Sequence, residues 1–190
     1  AGVEIYSTGG TRAALEAVRH IGRQDVIHCN DWHTGLLPFY LKALFRGEEP
    51  FSGTKVLYTI HNIAYQGLFP RDELPSVDIP EAHFTHKGLE FYDKISFMKA
   101  GIVYSDAIVT VSPEHSREIL SLEFGQGLEG LLRAQGDKLN GILNGVDYKT
   151  WNPATDVYVA KNYSPMDMSG KAECKKALLD DLGMDDQLAD

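Results

Sequence analysis

The sequence predicts an α/β fold, a Rossmann-like parallel sheet with helical crossovers, on three observations. Short apolar or β-branched runs recur at 25–29, 55–60, 107–111 and 139–143. Stretches of helical pattern lie between them, as the crossovers between buried parallel strands require. Each run stops abruptly in polar residues: Asn30-Asp31-Trp32-His33, His61-Asn62, Ser112-Pro113 and Asn144-Gly145-Val146-Asp147. Open sheets of this kind bind ligands at the carboxyl ends of their strands, so the chain reads as half of a small-molecule cleft.

Each element has its own local warrant. Val3-Glu4-Ile5-Tyr6 is a short alternating strand, and Ser7-Thr8-Gly9-Gly10 reads as the turn after it. Thr11 is the expected N-cap of a helix over 12–21, which Gly22 ends. A second helix is expected from Thr34 or Gly35 through Phe45, with Pro38 in its first turn. Glu48 to Gly53 reads as a surface turn. Residues 62–87 hold Pro70, Pro75 and Pro80 and no convincing period; so long a loop in a compact domain is usually functional or mobile. From Leu89 a helical pattern returns, with Phe91, Ile95, Met98 and Ile102 along one face. Ser112 and Pro113 open another helix as cap and first residue. Phe124-Gly125-Gln126-Gly127 is a glycine-rich elbow ahead of Leu128. Beyond the fourth strand, 151–156 reads as irregular chain, and Ser169 caps a last helix closed by Gly183. The tail from Met184 reads as an acidic linker. This organisation gives an N-terminal segment at 1–11, a Rossmann-like body at 12–163, and a helix with linker at 164–190.

Composition narrows the function. A net charge of −9 with no Lys/Arg cluster argues against a nucleic-acid or anionic-membrane surface. No apolar stretch approaches the roughly 20 residues that span a bilayer. Cys29 and Cys174 form neither a disulfide framework nor a zinc spacing, which favours a reducing, cytoplasmic setting.

The candidate site residues follow from the strand ends. Asp31 places a carboxylate where it could accept hydrogen bonds from sugar hydroxyls or position an attacking one. The alternative is that Asp31 caps the next helix and Trp32 packs under it. His61, expected on the neighbouring strand, can present its ring and adjacent backbone to a ligand. Asn144 is both a turn residue and a candidate contact, and Asn62, His33 and Gly145 complete the substrate-contact set. His28, Asp31, His33 and His61 invite a metal, but His28 should alternate away from its neighbours and no helical His pair is present, so no metal or other cofactor is expected. Ser7 to Thr11 could form an anion nest, though a plain turn with a threonine cap is the simpler reading.

Longer motifs then add a resemblance. Cys29-Asn30-Asp31-Trp32-His33-Thr34-Gly35-Leu36-Leu37-Pro38, Tyr58-Thr59-Ile60-His61-Asn62-Ile63-Ala64-Tyr65-Gln66-Gly67, Lys99-Ala100-Gly101-Ile102, Thr110-Val111-Ser112-Pro113 and Leu143-Asn144-Gly145-Val146-Asp147 follow one another as in bacterial glycogen synthases and plant starch synthases. From about Arg12 to Gly183 the chain resembles the later part of their N-terminal domain. The resemblance implies half of a two-domain GT-B enzyme that transfers glucose, with retention, from ADP-glucose to the non-reducing end of an α-1,4-glucan. By motif it assigns Asp31 and His61 as active-site residues and Asn144 as a neighbour of the donor glucose. It also implies that His61 acts on the charge developing on the transferred glucose.

The family's Lys-x-Gly-Gly-Leu loop and its second domain are absent from this sequence. The parent is therefore expected to be an enzyme, and this chain alone to be inactive. Two other readings stay open: a non-catalytic glucan-binding or pseudo-enzyme domain, and a phosphate-ligand domain. The second rests only on residues 1–11, which resemble the phosphate-binding turn of methylglyoxal-synthase-like domains.

Overall fold

Five parallel strands form the main sheet, and their order puts the polar strand ends side by side. The structure is a computed structural model that describes residues 2–5 and 8–184, with side chains from Gly10 onward. The strands are β1 (Gly2–Ile5), β2 (Val26–Asn30), β3 (Lys55–Ile60), β7 (Ala107–Thr110) and β8 (Leu139–Gly141). They lie in the order β1-β2-β3-β7-β8, every pairing parallel. The register sets Cys29 opposite Tyr58, and Ile60 opposite Thr110. The α/β expectation therefore holds, as do four of its strands within two residues at each end.

The core is built on the apolar positions that marked those runs. Ile27, Cys29, Val56, Tyr58, Ile60 and Ile108 are completely buried, each worth roughly 1.5–3 kcal/mol of transfer free energy where the side chain is a large aliphatic or aromatic one. Helix α3 (Phe97–Tyr104) packs across them. Gly101 lies so close to Tyr58 that a Cβ would sit 2.3 Å from the ring. Gly35, at the entry to α2 (Leu36–Phe39), is as tight: a Cβ there would fall 1.9 Å from the Phe97 carbonyl oxygen. These contacts lock the two helices onto one face of the sheet.

Several elements differ from expectation. Helix α1 runs Thr8–Ile21, so Thr8, Gly9 and Gly10 are helical rather than a turn. Thr11 is inside the helix and 4% exposed, with its hydroxyl unpartnered, so it is not a cap. Gly22 does end the helix, at φ +91° and with its N–H on the Val18 carbonyl at 2.9 Å. Tyr6 and Ser7, on which the opening strand and turn were partly read, lie outside the described residues. The second helix begins as a tight turn at Trp32–Thr34 and widens to a π-helix at Tyr40–Leu44.

The helical pattern expected from Leu89 is instead a hairpin followed by a shorter helix. Strands β5 (Glu90–Phe91) and β6 (Lys94–Ser96) pair antiparallel, and β4 (Leu68–Pro70) joins them in a second sheet ordered β4-β6-β5. Tyr92 and Asp93 make the turn with φ of 48° and 59°, the left-handed pair of a type I′ hairpin. The helix starts only at Phe97, where Ser96 Oγ accepts from the Lys99 N–H at 3.1 Å. Ser112 and Pro113 open α4 (Pro113–Glu118) as expected, the Ser112 hydroxyl accepting from the His115 N–H at 2.9 Å. The elbow at 124–127 leads to α5 (Glu129–Gln135).

Compactness divides the described chain after Asn144, ahead of the body boundary expected at 163. The second unit, from Gly145, holds helix α6 (Ser169–Leu182) and stretches stitched by local side-chain bonds. Asp147 accepts from the Lys149 N–H at 3.0 Å and the Thr150 hydroxyl at 2.8 Å. Ser169 is the first helical residue rather than the cap, its N–H bonded to Asp167 Oδ1 at 3.0 Å. Gly183 closes α6 in the left-handed conformation, as its position predicts. Of the tail read as linker, residues 185–190 lie outside the described residues.

Two glycine substitutions test the packing. Gly101→Ala should destabilise the chain by about 1–3 kcal/mol in urea unfolding, because the methyl has no room beside a fully buried ring. Gly130→Ala, in α5 with nothing within 4 Å of the added carbon, should instead stabilise by roughly 0.5–1 kcal/mol. Equal effects at the two positions would contradict the α3–sheet contact.

Candidate functional site

The carboxyl edge of the sheet is laced by polar residues at the ends of β2 and β3. The ladder between them continues one step past β2, the Asp31 N–H donating to the Thr59 carbonyl at 2.8 Å. Asp31 then turns sharply, at φ 57° and ψ 179°. That region is nearly closed to residues with a side chain and costs on the order of 1–3 kcal/mol. Its carboxylate does not cap the turn that follows. It crosses instead to the neighbouring strand, where Oδ1 accepts the N–H of His61 at 2.9 Å and of Asn62 at 3.4 Å.

The neighbouring groups lock the same corner. The His61 ring nitrogen Nε2 lies 2.9 Å from Oδ1 of Asn30, and Asn30 is only 5% exposed. The buried Thr34 hydroxyl is shared between the carbonyls of Asn30 at 3.0 Å and Asp31 at 3.1 Å. Further along the edge, the Thr110 hydroxyl donates to the Ile60 carbonyl at 2.9 Å, and the Ile142 N–H to the Thr110 carbonyl at 2.8 Å. The strand ends of β2, β3, β7 and β8 are thus tied in sequence, and all open on one side of the sheet.

Trp32 and His33 form the floor next to Asp31. Their rings stack at 3.9 Å and 28°, and Trp32 also meets Phe69 and Phe97. Gly67, at φ +60°, allows this: a Cβ there would lie 2.2 Å from the indole. His33 also lines a small cavity of about 220 Å³ with Thr11, Tyr40, Val77 and Phe97.

The loop after His61 is held from behind. The first two N–H groups of α3 donate to it, Phe97 to the Gly67 carbonyl at 3.1 Å and Met98 to that of Gln66 at 3.0 Å. The Gln66 amide donates to the Gln126 carbonyl in the glycine elbow at 2.9 Å. Lys99, 7% exposed, gives its ammonium to the carbonyls of His86 at 2.7 Å and Glu90 at 2.5 Å. Burial lowers its pKa, with the Glu90 carboxylate opposing that shift.

Of the sequence-predicted residues, the structure brings Asp31, His33, His61 and Asn62 to one corner. His61 and Asn62 are exposed there, and Asp31 and His33 half-buried. Asn62 Oδ1 accepts the Ala64 N–H at 3.0 Å, tightening the loop. Asn144 is exposed three residues past β8, at the same edge of the sheet but two strands from His61. Gly145 begins the second unit. His28 turns from this corner and bonds the Thr59 hydroxyl at 2.6 Å. No group of three or more His, Cys, Asp or Glu among the described residues is placed to hold a metal ion. Cys29 is completely buried, and that burial pushes its thiol up to about 12. Sequence reasoning overlooked Asn30, Gln66 and Lys99. Asn30 and Gln66 lay in plain view inside the motifs, but only their burial shows that they brace the histidine loop.

A parallel sheet whose polar strand ends converge on one open edge defines an α/β domain of Rossmann-like type. The chain belongs to the starch synthase catalytic domain family, which it matches over residues 10–134. It is 47% identical to the glycogen synthase of Myxococcus xanthus over 95% of this chain and 38% of that protein. With the glycogen synthase of Thermodesulfovibrio yellowstonii the identity is 43%, over 95% of this chain and 36% of the relative. The catalytic domain of starch synthase IV from Arabidopsis thaliana, bound to ADP and acarbose, superposes with a TM-score of 0.75 at 32% identity, covering 94% of this chain and 37% of that one. The chain thus spans a little over a third of the length of these relatives.

Amide exchange tests the corner. Asp31→Ala should leave the His61 and Asn62 amide protons unanchored and speed their exchange by about tenfold or more, the value of one charge-assisted bond. Asp31→Asn, which keeps one acceptor oxygen, should fall between the two. Exchange at His61 and Asn62 that is the same in all three proteins would show that the carboxylate does not hold β3.

Proposed function

We propose that the chain is part of a glycogen or starch synthase that transfers glucose, with retention, from ADP-glucose to the non-reducing end of an α-1,4-glucan. The observation that carries this reading is the His61 corner, set in a chain that belongs to the starch synthase catalytic domain family. Relatives named glycogen synthase, and a structural neighbour holding ADP and acarbose, fit a nucleotide-sugar donor and a glucan acceptor.

In this reading His61 is the catalytic group that faces the glucose. Its ring is exposed, yet its backbone and Nε2 are both fixed, so it needs little reorganisation as positive charge develops. Asp31 holds that backbone through Oδ1, which leaves Oδ2 to accept a hydroxyl. Asn144, Asn62, His33 and Gly145 contact substrate from the surrounding strand ends. The body at 12–163 continues through 164–190 towards a second domain whose groups hold the nucleotide phosphates. The protein works in the cytoplasm without nucleic acid, metal or membrane; no helix among the described residues is long and apolar enough to cross a bilayer.

Two measurements test the proposal. In the longer parent enzyme, His61→Ala should lower kcat by about 10²–10³ with little change in donor KM, the cost of a well-placed electrostatic contact. A lower Tm with normal turnover would reduce His61 to a structural residue. The purified 190-residue chain should show no glucosyl transfer, because transition-state stabilisation needs groups from both sides of the cleft. Turnover of ADP-glucose by this chain would mean that the donor site lies elsewhere.

A further inference from the structure

We propose that Asn30 is a positioning residue: it fixes the neutral His61 ring in its Nε2–H form and leaves Nδ1 as the acceptor offered to a ligand. The inference deepens the glucosyl-transfer reading, and rests on it for the identity of that ligand.

Asn30 is built into the sheet. It ends β2 opposite Thr59, its carbonyl receives the Thr34 hydroxyl at 3.0 Å, and it is 5% exposed. A side chain so confined has little rotamer freedom left to lose when it holds a partner. It presents Oδ1 to the ring at 2.9 Å. A carboxamide oxygen only accepts, so the ring nitrogen facing it must carry the proton. The two nitrogens of a histidine are distinguished by whatever the other one bonds. Among the described residues no partner faces Nδ1.

The assignment determines the chemistry that the ring can recognise. With its only N–H directed at Asn30, neutral His61 presents a lone pair, which takes a hydroxyl donor or faces a centre gaining positive charge. It cannot donate to a phosphate oxygen without first becoming protonated. A sugar hydroxyl or an electron-poor sugar carbon suits this ring, and the phosphates of a nucleotide donor must be held by other groups.

Long-range nitrogen–proton NMR correlation on the histidine-labelled 190-residue chain reads the tautomer directly, with His61 assigned by its loss in His61→Gln. The expected spectrum shows Nε2 protonated and Nδ1 bare, with the N–H proton exchanging about tenfold more slowly than in Asn30→Leu, where its acceptor is gone. Asn30→Asp retains an acceptor oxygen and should restore both the tautomer and the slow exchange. An Nδ1–H ring in the wild type would overturn the proposal, because Asn30 would then be donating. So would an Asn30→Leu spectrum identical to the wild type. Should Asn30→Leu fail to fold, judged by its Tm, the wild-type tautomer and the Asn30→Asp exchange rate still decide. The spectrum needs no substrate, so it stands or falls independently of the His61→Ala turnover assay in the parent enzyme.

Discussion

The Asp31 carboxylate is the contact on which the open edge depends. It reaches from the end of β2 to the backbone at the end of β3, and it does so at a backbone angle that L-residues avoid. Those dihedrals are open to glycine and nearly closed to every residue with a side chain. Glycine would relieve the strain but has nothing to hold the His61 and Asn62 N–H groups. Asparagine would supply a neutral acceptor, and bonds to neutral acceptors are weaker than those to a carboxylate. Aspartate alone combines the turn with a charged acceptor.

From that corner the other constraints follow outwards. With the β3 end fixed, the chain must leave through Asn62 and return beneath Trp32, which requires a glycine at 67. The returning segment has carbonyls to satisfy, and the start of α3 satisfies two of them with N–H groups that no helix can use internally. Lys99 then draws in the carbonyls of His86 and Glu90, so the long segment between β3 and α3 is held at both ends and in the middle. These pins add to the small β4-β6-β5 sheet and to the buried Leu74, Ile79 and Leu89 of the same segment. The irregular stretch is an extension of the site's scaffold rather than a connection between elements.

Much of this was legible in the sequence, for identifiable reasons. The sheet could be read because parallel strands are buried on both faces and show as continuous β-branched runs. The strand-end residues could be read because each run stops where the sheet does. The hairpin at 90–96 could not be read, because Phe91, Ile95, Met98 and Ile102 happen to keep helical spacing across a turn. Its Tyr92-Asp93 tip also lacks the Asn-Gly or Asp-Gly signal that marks a type I′ turn. The early start of α1 was hidden because Gly9 and Gly10 read as turn formers. The role of Asn30 was hidden differently: its type and position were visible, but an amide at a strand end declares neither its burial nor its partner.

The direction of dependence separates the two carboxamides and the carboxylate at this edge. Asp31 acts on the backbone of His61, whereas Asn30 acts on its ring, so they control different properties of one residue. Backbone placement sets where the imidazole stands to within the stiffness of a sheet ladder. Ring placement sets which nitrogen it offers. Asn62, one residue further on, spends its oxygen on the Ala64 N–H and so shapes the loop rather than the ring. An exposed imidazole would otherwise sample several rotamers and both tautomers in water. Holding it from two sides, by groups on the adjacent strand, removes that freedom before any ligand arrives, which is the condition for an electrostatic contact to favour a transition state over a ground state.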